Sequence, residues 1–289
     1  VTPGSGRAPG TGTRHEKDTE GAMSSERRTE IDTSKPHSAR MYDYYLGGKD
    51  WYPVDQEAAE KVMAVLPGAR ASCLANRGFM HRVVRCLAGE YGIRQFVDIG
   101  TGIPTEPNLH QVAQAVAPEC RVVYADHDPV VLEYADALLR GTPEGCTTYV
   151  QADVRWDDIL GAKRVRETLD LDEPVALSLN ALLHFVTDEY EPYRLVASMV
   201  DRLAPGSFLA LSYATAEFDS SMNKVAEVYR AEGTPLQLRP KSEVAEFFAG
   251  LELLEPGLVP IGEWRPDGEE VAAPAYGGVA RKPAWTGGG

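Results

Sequence analysis

Three aspartates in this sequence stand at the ends of short apolar runs. Asp98 lies in Asp98-Ile99-Gly100-Thr101-Gly102, Asp126 closes the Val-rich run Arg121 to Ala125, and Asp153 follows Tyr149 to Ala152. An acid two residues before a Gly-x-Gly turn can take a ligand's ammonium group, directly or through water. The glycines let that turn bring backbone N–H groups close to a ligand. An acid at the end of the next strand can accept both hydroxyls of a ribose. Asp153 beside Val154 suits an adenine, the carboxylate accepting from the exocyclic amine and the apolar side chain covering the ring. Asp128, just before Pro129, reads instead as a helix cap. Taken singly, the glycine turn is also what any tight strand–helix junction needs, and Asp153 is an ordinary solvated turn residue. Three acids at three successive strand ends form the pattern. The third glycine of the dinucleotide fingerprint is missing, because Pro104 and Thr105 stand there, which argues against a nicotinamide cofactor.

These acids meet only if the strands that carry them lie side by side. Apolar runs at Phe96 to Ile99, Arg121 to Ala125, Tyr149 to Ala152, Val175 to Leu179 and Phe208 to Tyr213 read as strands. Between them, Leu109, Val112, Ala113 and Val116 repeat at helical spacing until Pro118, as do Val131, Tyr134, Ala135 and Leu138 until Gly141. Asp188 can cap a helix carrying Tyr193, Val196, Ala197 and Val200. Such alternation predicts a parallel sheet with helices on both faces, whose carboxyl edge binds ligands. A helix near Val244 to Phe248 and strands near Leu251 to Leu254 and Ala275 to Ala280 complete an α/β, Rossmann-like, seven-stranded, mostly parallel sheet. The expected domain spans 93–283. A helical N-terminal cap covers 31–92, with Leu74, Phe79, Val83 and Leu87 on one helix face. Residues 1–30 have almost no apolar side chains and read as a disordered leader, with Met23 a second plausible start and 284–289 a flexible tail.

With these motifs in place, the chain resembles the class I S-adenosylmethionine-dependent methyltransferases. More closely, it is similar to an actinobacterial S-adenosyl methyltransferase family formerly classed as a domain of unknown function. The resemblance covers roughly residues 33–283. It rests on the Ser38 to Asp50 segment, Asp98 to Thr105 with Asn108 and His110, Asp126 to Pro129, Asp153, Asn180 to Phe185, and Tyr276-Gly277-Gly278-Val279. It implies S-adenosyl-L-methionine as cofactor. Carried over, it implies that Asp98, Gly100, Thr101 and Gly102 form the methionine-binding loop and that Asp126 is the ribose acid. His127 then lies beside the adenine, Asp153 and Val154 hold it, and Asn180 faces cofactor and acceptor. Ile103-Pro104 departs from the general loop pattern.

The acceptor side is less specified. His184 is either a structural hydrogen-bonding residue or a general base. Tyr213 either lines the acceptor pocket or covers the core. The segment from Tyr42 to Tyr52 is a packed cap, a lid placing Tyr42, Tyr45, Lys49 and Asp50 at the ligand, or both. The net charge of −14, from 43 acidic and 29 basic residues, disfavours nucleic-acid and anionic-membrane partners. No apolar run is long enough to span a bilayer, and the four cysteines (Cys73, Cys86, Cys120, Cys146) lack metal spacing and suit a cytoplasmic protein. No metal is expected. The reading is a methyltransferase acting by direct displacement on a small-molecule acceptor. The alternatives are a non-enzymatic S-adenosylmethionine-binding module and a nucleotide-binding oxidoreductase.

Overall fold

The computed structural model describes residues 1, 32–131, 141–268 and 272–284. The expected leader, most of the helix after Asp128 and the last residues of the tail lie outside them. From residue 31 onward the chain forms one compact unit. Its centre is a sheet of β1 (Gln95–Ile99), β2 (Arg121–Asp126), β3 (Cys146–Gln151), β4 (Ala176–Asn180), β5 (Phe208–Ala214), β6 (Glu252–Leu253), β7 (Val259–Pro260) and β8 (Ala275–Arg281). The order is β3-β2-β1-β4-β5-β8-β6, with β7 also on β8. β1 to β5 run parallel, and β8 runs antiparallel to β5, β6 and β7. The sheet has one strand more than expected because β7, only two residues long and ending in a proline, pairs along β8.

The central strands read as unbroken apolar runs because both faces are covered. Val97, Val123, Leu177, Leu179 and Leu211 are fully buried on one side, and Phe96, Val122 and Val279 on the other. Gly277 in β8 is required by close packing: a Cβ there would sit 2.7 Å from the Phe79 ring. Among the described residues no helix is long and apolar enough to cross a membrane.

Ahead of the sheet come α1 (Ser38–Leu46), α2 (Pro53–Val65) and α3 (Ala69–Gly89), with α4 (Leu109–Val116) following β1. α3 buries Ala75, Phe79, Val83 and Leu87; Leu74 is 57% exposed, so Ala75, four residues before Phe79, takes the place expected of it. Met41 and Tyr45 of α1 and Ala58, Ala59 and Val62 of α2 form a separate apolar cluster with Met222, Val225 and Tyr229 of the helix Ser221–Ala231. Proline at the first position and the Asp55 carboxylate on the Tyr52 N–H start α2.

Asp55 is fully buried and does three jobs. It accepts from His37 N–H (2.8 Å) and Tyr52 N–H (2.9 Å), and it lies 3.2 Å from Nε of Arg40, itself 3% exposed. This pair ties the start of α1 to the start of α2. Replacing Asp55 by Ala leaves a buried guanidinium and two N–H groups without their acceptor. The expected loss is about 3–5 kcal/mol in urea denaturation, with Asp55→Asn costing less.

Candidate functional site

The carboxyl ends of β1 to β4 form one edge, and the turns leaving it build a groove. Gly100 (φ +73°) and Gly102 (φ +65°) are both left-handed, and a Cβ on Gly100 would come within 2.6 Å of Leu182 Cδ1. Only glycine meets both demands at residue 100. The loop N–H groups face β2 rather than the groove. Gly100 donates to the Ala125 carbonyl at 2.8 Å, Thr101 more weakly to the same oxygen at 3.4 Å, and Gly102 to Asp126 Oδ2 at 2.8 Å. This differs from the expected backbone cradle: the N–H groups close the turn, and the groove is left with carboxylates. Asp126, 5% exposed, also accepts from Asp128 N–H at 3.0 Å. Asp128 caps the helix that opens at Pro129, accepting from Val130 N–H at 2.9 Å.

Asp98 points into the same space from β1. Its carboxylate accepts from Ser178 Oγ at 2.6 Å, and that hydroxyl accepts from Asn180 Nδ2 at 2.9 Å. Burial raises the Asp98 carboxyl to about 6, against the opposing Ser178 hydrogen bond. The carbonyl oxygen of the Asn180 side chain is buried with no protein partner. Next, Ala181 adopts φ +51°, a strained conformation for a residue with a Cβ. Its N–H donates to Ser212 Oγ (2.9 Å), which donates to Asn76 Oδ1 (2.5 Å). Asn76 donates to the Tyr42 hydroxyl (3.1 Å), which donates to the Cys73 carbonyl (3.0 Å). One chain of hydrogen bonds thus links α1, α3, β5 and the turn after β4.

The cap reaches the edge directly through His37. Its Nδ1 lies 3.0 Å from Asp128 Oδ2 and its Nε2 3.1 Å from His127 Nε2. Hydrogen bonding to Asp126 raises the His127 pKa despite burial. At the end of β3, Arg155 binds both Asp153 oxygens (Nε to Oδ1 2.9 Å, Nη2 to Oδ2 2.6 Å). Burial would raise the Asp153 carboxyl, but the Arg155 hydrogen bonds outweigh it and the group lies below the usual carboxylate range.

A cavity of about 250 Å³ brings together Asp98, Gly100, Thr101, Gly102, Asp126, His127 and Asn180 with Tyr42, Tyr45, His184 and Tyr213. An adjoining one of about 210 Å³ shares Gly100, Asp126 and His127 and adds Asp153 and Val154. Lys49 and Asp50 line neither cavity. Lys49 is exposed, and Asp50 folds back so that its N–H donates to Asp43 Oδ2 at 2.9 Å. Tyr213 offers its ring alone, because its hydroxyl donates to the Gln237 carbonyl (2.9 Å) and accepts from Arg239 Nε (3.0 Å). Among the lining residues that escape a reading of the sequence are His37, Asn76, Arg77, Arg155 and Ser212. His37 adjoins the Ser38 motif and precedes a helix, a usable signal. Asn76 and Ser212 meet across 136 positions, with no local pattern to mark them. Among the described residues no cluster of His, Cys, Asp and Glu is placed to hold a metal ion.

The chain matches the model of a protein family described as S-adenosyl methyltransferase over residues 24–283. It is similar to the crystal structure of a DUF574 family protein from Streptomyces avermitilis MA-4680. The two share 50% identity and a TM-score of 0.86 over 88% of this chain and 100% of that one. A candidate methyltransferase from Thermobifida fusca YX shares 38% identity and a TM-score of 0.81, over 88% of this chain and 97% of that one. No curated protein matches.

The Ser212 hydroxyl, 1% exposed, serves as acceptor for the strained turn and donor to the cap. Ser212→Ala strands the Ala181 N–H and the Asn76 carbonyl. The expected cost is about 1–3 kcal/mol of stability by chemical denaturation, with the strand core unchanged.

Proposed function

The chain belongs to the S-adenosyl methyltransferase family and is a methyltransferase that uses S-adenosylmethionine; we propose that it moves the methyl group by direct displacement to a small-molecule acceptor. The observation that carries the site assignment is the row of carboxylates Asp98, Asp126 and Asp153 along one continuous groove, beside a loop whose N–H groups are already engaged. A phosphate-bearing dinucleotide needs free N–H donors at that loop. A cationic nucleoside without phosphate needs acceptors, and these residues fit it.

When bound, the cofactor supplies a methyl group on a sulfonium, already a strong electrophile, so the protein's task is positioning and exclusion of water. In this reading Asp98 accepts the ammonium group and Asp126 the ribose hydroxyls. Asp153 shares its acceptor capacity between Arg155 and the adenine amine, while Val154 and His127 flank the ring. Thr101 and the two glycines allow close approach, and the buried Asn180 carbonyl faces the ligand. Arg77, anchored on the Pro107 carbonyl at 2.7 Å, offers positive charge near the methionine end. Residues 31–92 serve as the cap on domain 93–283, closing the groove with His37, Tyr42 and Tyr45. Lys49 and Asp50 have no part in it. The four free thiols suit a cytoplasmic enzyme.

S-adenosylmethionine and its demethylated product are expected to raise the melting temperature by mass action. Calorimetry that finds no binding at millimolar ligand would overturn the site. Asp126→Asn removes the charge and one of the two N–H acceptors, and affinity is expected to fall at least roughly 10–100-fold. The pH dependence has a definite sign. Below about 6, Asp98 is protonated in the free protein, so binding a cation must release that proton. Affinity is therefore expected to fall by up to about tenfold per pH unit on acidification, and Asp98→Asn to flatten that limb.

A further inference from the structure

Past Asn180 the cavity continues between α1, α2 and the helix Ser221–Ala231, and its chemistry changes. The wall there is Val62, Leu66, Met222, Val225 and Leu236 with the Tyr45 and Tyr229 rings, all less than one-tenth exposed. No Lys or Glu lines the cavity among the described residues, and its aspartates and its one arginine come from the strand edge and α3. An ammonium or carboxylate group in this half would be stripped of water without a counter-charge, a prohibitive cost. An uncharged, planar, mostly apolar molecule avoids that cost, and aromatic and methionine side chains favour such a ring.

His184 stands at the junction, on the turn that follows the strained Ala181. It is 7% exposed and lines the cavity, and its Nδ1 is buried with no hydrogen-bond partner among the described residues. Its ring is held by Phe185 (centroids 4.3 Å apart) and edge-on by Tyr213 (5.8 Å). Burial lowers its pKa to about 4, and burial likewise raises the pKa values of Tyr42, Tyr45, Cys73, Tyr213 and Tyr229 around it. At neutral pH the imidazole is therefore uncharged, one ring nitrogen a donor and the other an acceptor, and its Nδ1 finds no partner among the described residues.

Resting on the cofactor reading above, we infer that the acceptor is an uncharged, mostly apolar molecule bearing a phenol-type O–H, and that His184 receives this hydrogen bond and takes its proton. The oxygen's electron pair forms the new O–C bond as the C–S bond breaks, its electrons staying on sulfur. The O–H proton passes to the His184 ring, and the imidazolium returns it to solvent.

The test is binding to the full-length enzyme saturated with S-adenosylhomocysteine, using 2-naphthol, 2-methoxynaphthalene, 2-naphthoate and 2-naphthylmethylammonium. Calorimetry is expected to show 2-naphthol at least tenfold tighter than either ion and roughly tenfold tighter than its methyl ether, the difference being the O–H bond to His184. In His184→Phe that preference over the ether is expected to vanish while the ether's affinity stays the same. His184→Gln, which keeps an acceptor, is expected to retain part of the preference. Should His184→Phe not fold, His184→Leu carries the same comparison. An ion that binds as tightly as 2-naphthol, a 2-naphthol too weak to measure, or a preference that survives the loss of His184 overturns the inference. S-adenosylhomocysteine affinity, unchanged in every variant, reads the cofactor site separately. If that ligand fails to bind, the cofactor reading falls, and the naphthol comparison without it still decides the role of His184.

Discussion

The Asp126 carboxylate joins the two parts on which the groove depends. One oxygen holds the Gly102 N–H and so fixes the loop after β1; the other holds the Asp128 N–H and so fixes the turn after β2. With both turns pinned, Gly100 lies against Leu182, and Asp98 comes to rest beside Ser178. Asp128, positioned by the same contact, receives His37 of the cap. A single buried acid thereby sets the distance between strand ends and the docking point of the N-terminal helices. The same carboxylate also lines the groove.

The cap is held by polar contacts where it meets the groove and by apolar packing elsewhere. Arg40 and Asp55 form a buried pair at its front, and Asn76 bridges Tyr42 to Ser212. Behind them, Met41, Ala59 and Val62 pack on the helix Ser221–Ala231. Buried polar contacts add little net stability but demand one geometry, because each misplacement strands a donor or acceptor. The arrangement keeps Tyr42 and the Ala181 turn in register with the strand edge, where small displacements would matter most.

Charge is distributed unevenly for a chain of net −14. The acids that face the groove lie at the strand edge, while the half beyond Asn180 is lined by aliphatic and aromatic groups and a neutral histidine. The overall charge therefore says little about the acceptor. Local desolvation differs along the cavity: Asp98 and Asp126 supply counter-charge at one end, and an ion in the apolar half would have none.

The strands, their parallel direction and the three groove-lining acids follow from the sequence because each rests on local signals. Apolar runs end at Asp98, Asp126 and Asp153, glycines mark the first turn, and Pro129 follows its cap. The resemblance to methyltransferases rests on those same short segments. Tertiary structure alone decided the rest. Whether the loop N–H groups face a ligand or close the turn depended on where Asp126 comes to lie. Whether Lys49 and Asp50 reach the site depended on the fold-back onto Asp43. The role of Tyr213 depended on Gln237 and Arg239 claiming its hydroxyl, and the isolation of His184 on which helices cover it. These are contacts between residues far apart in the chain. Periodicity and turn chemistry, which act over a few residues, carry no information about them, and only packing of the cap on the sheet brings them together.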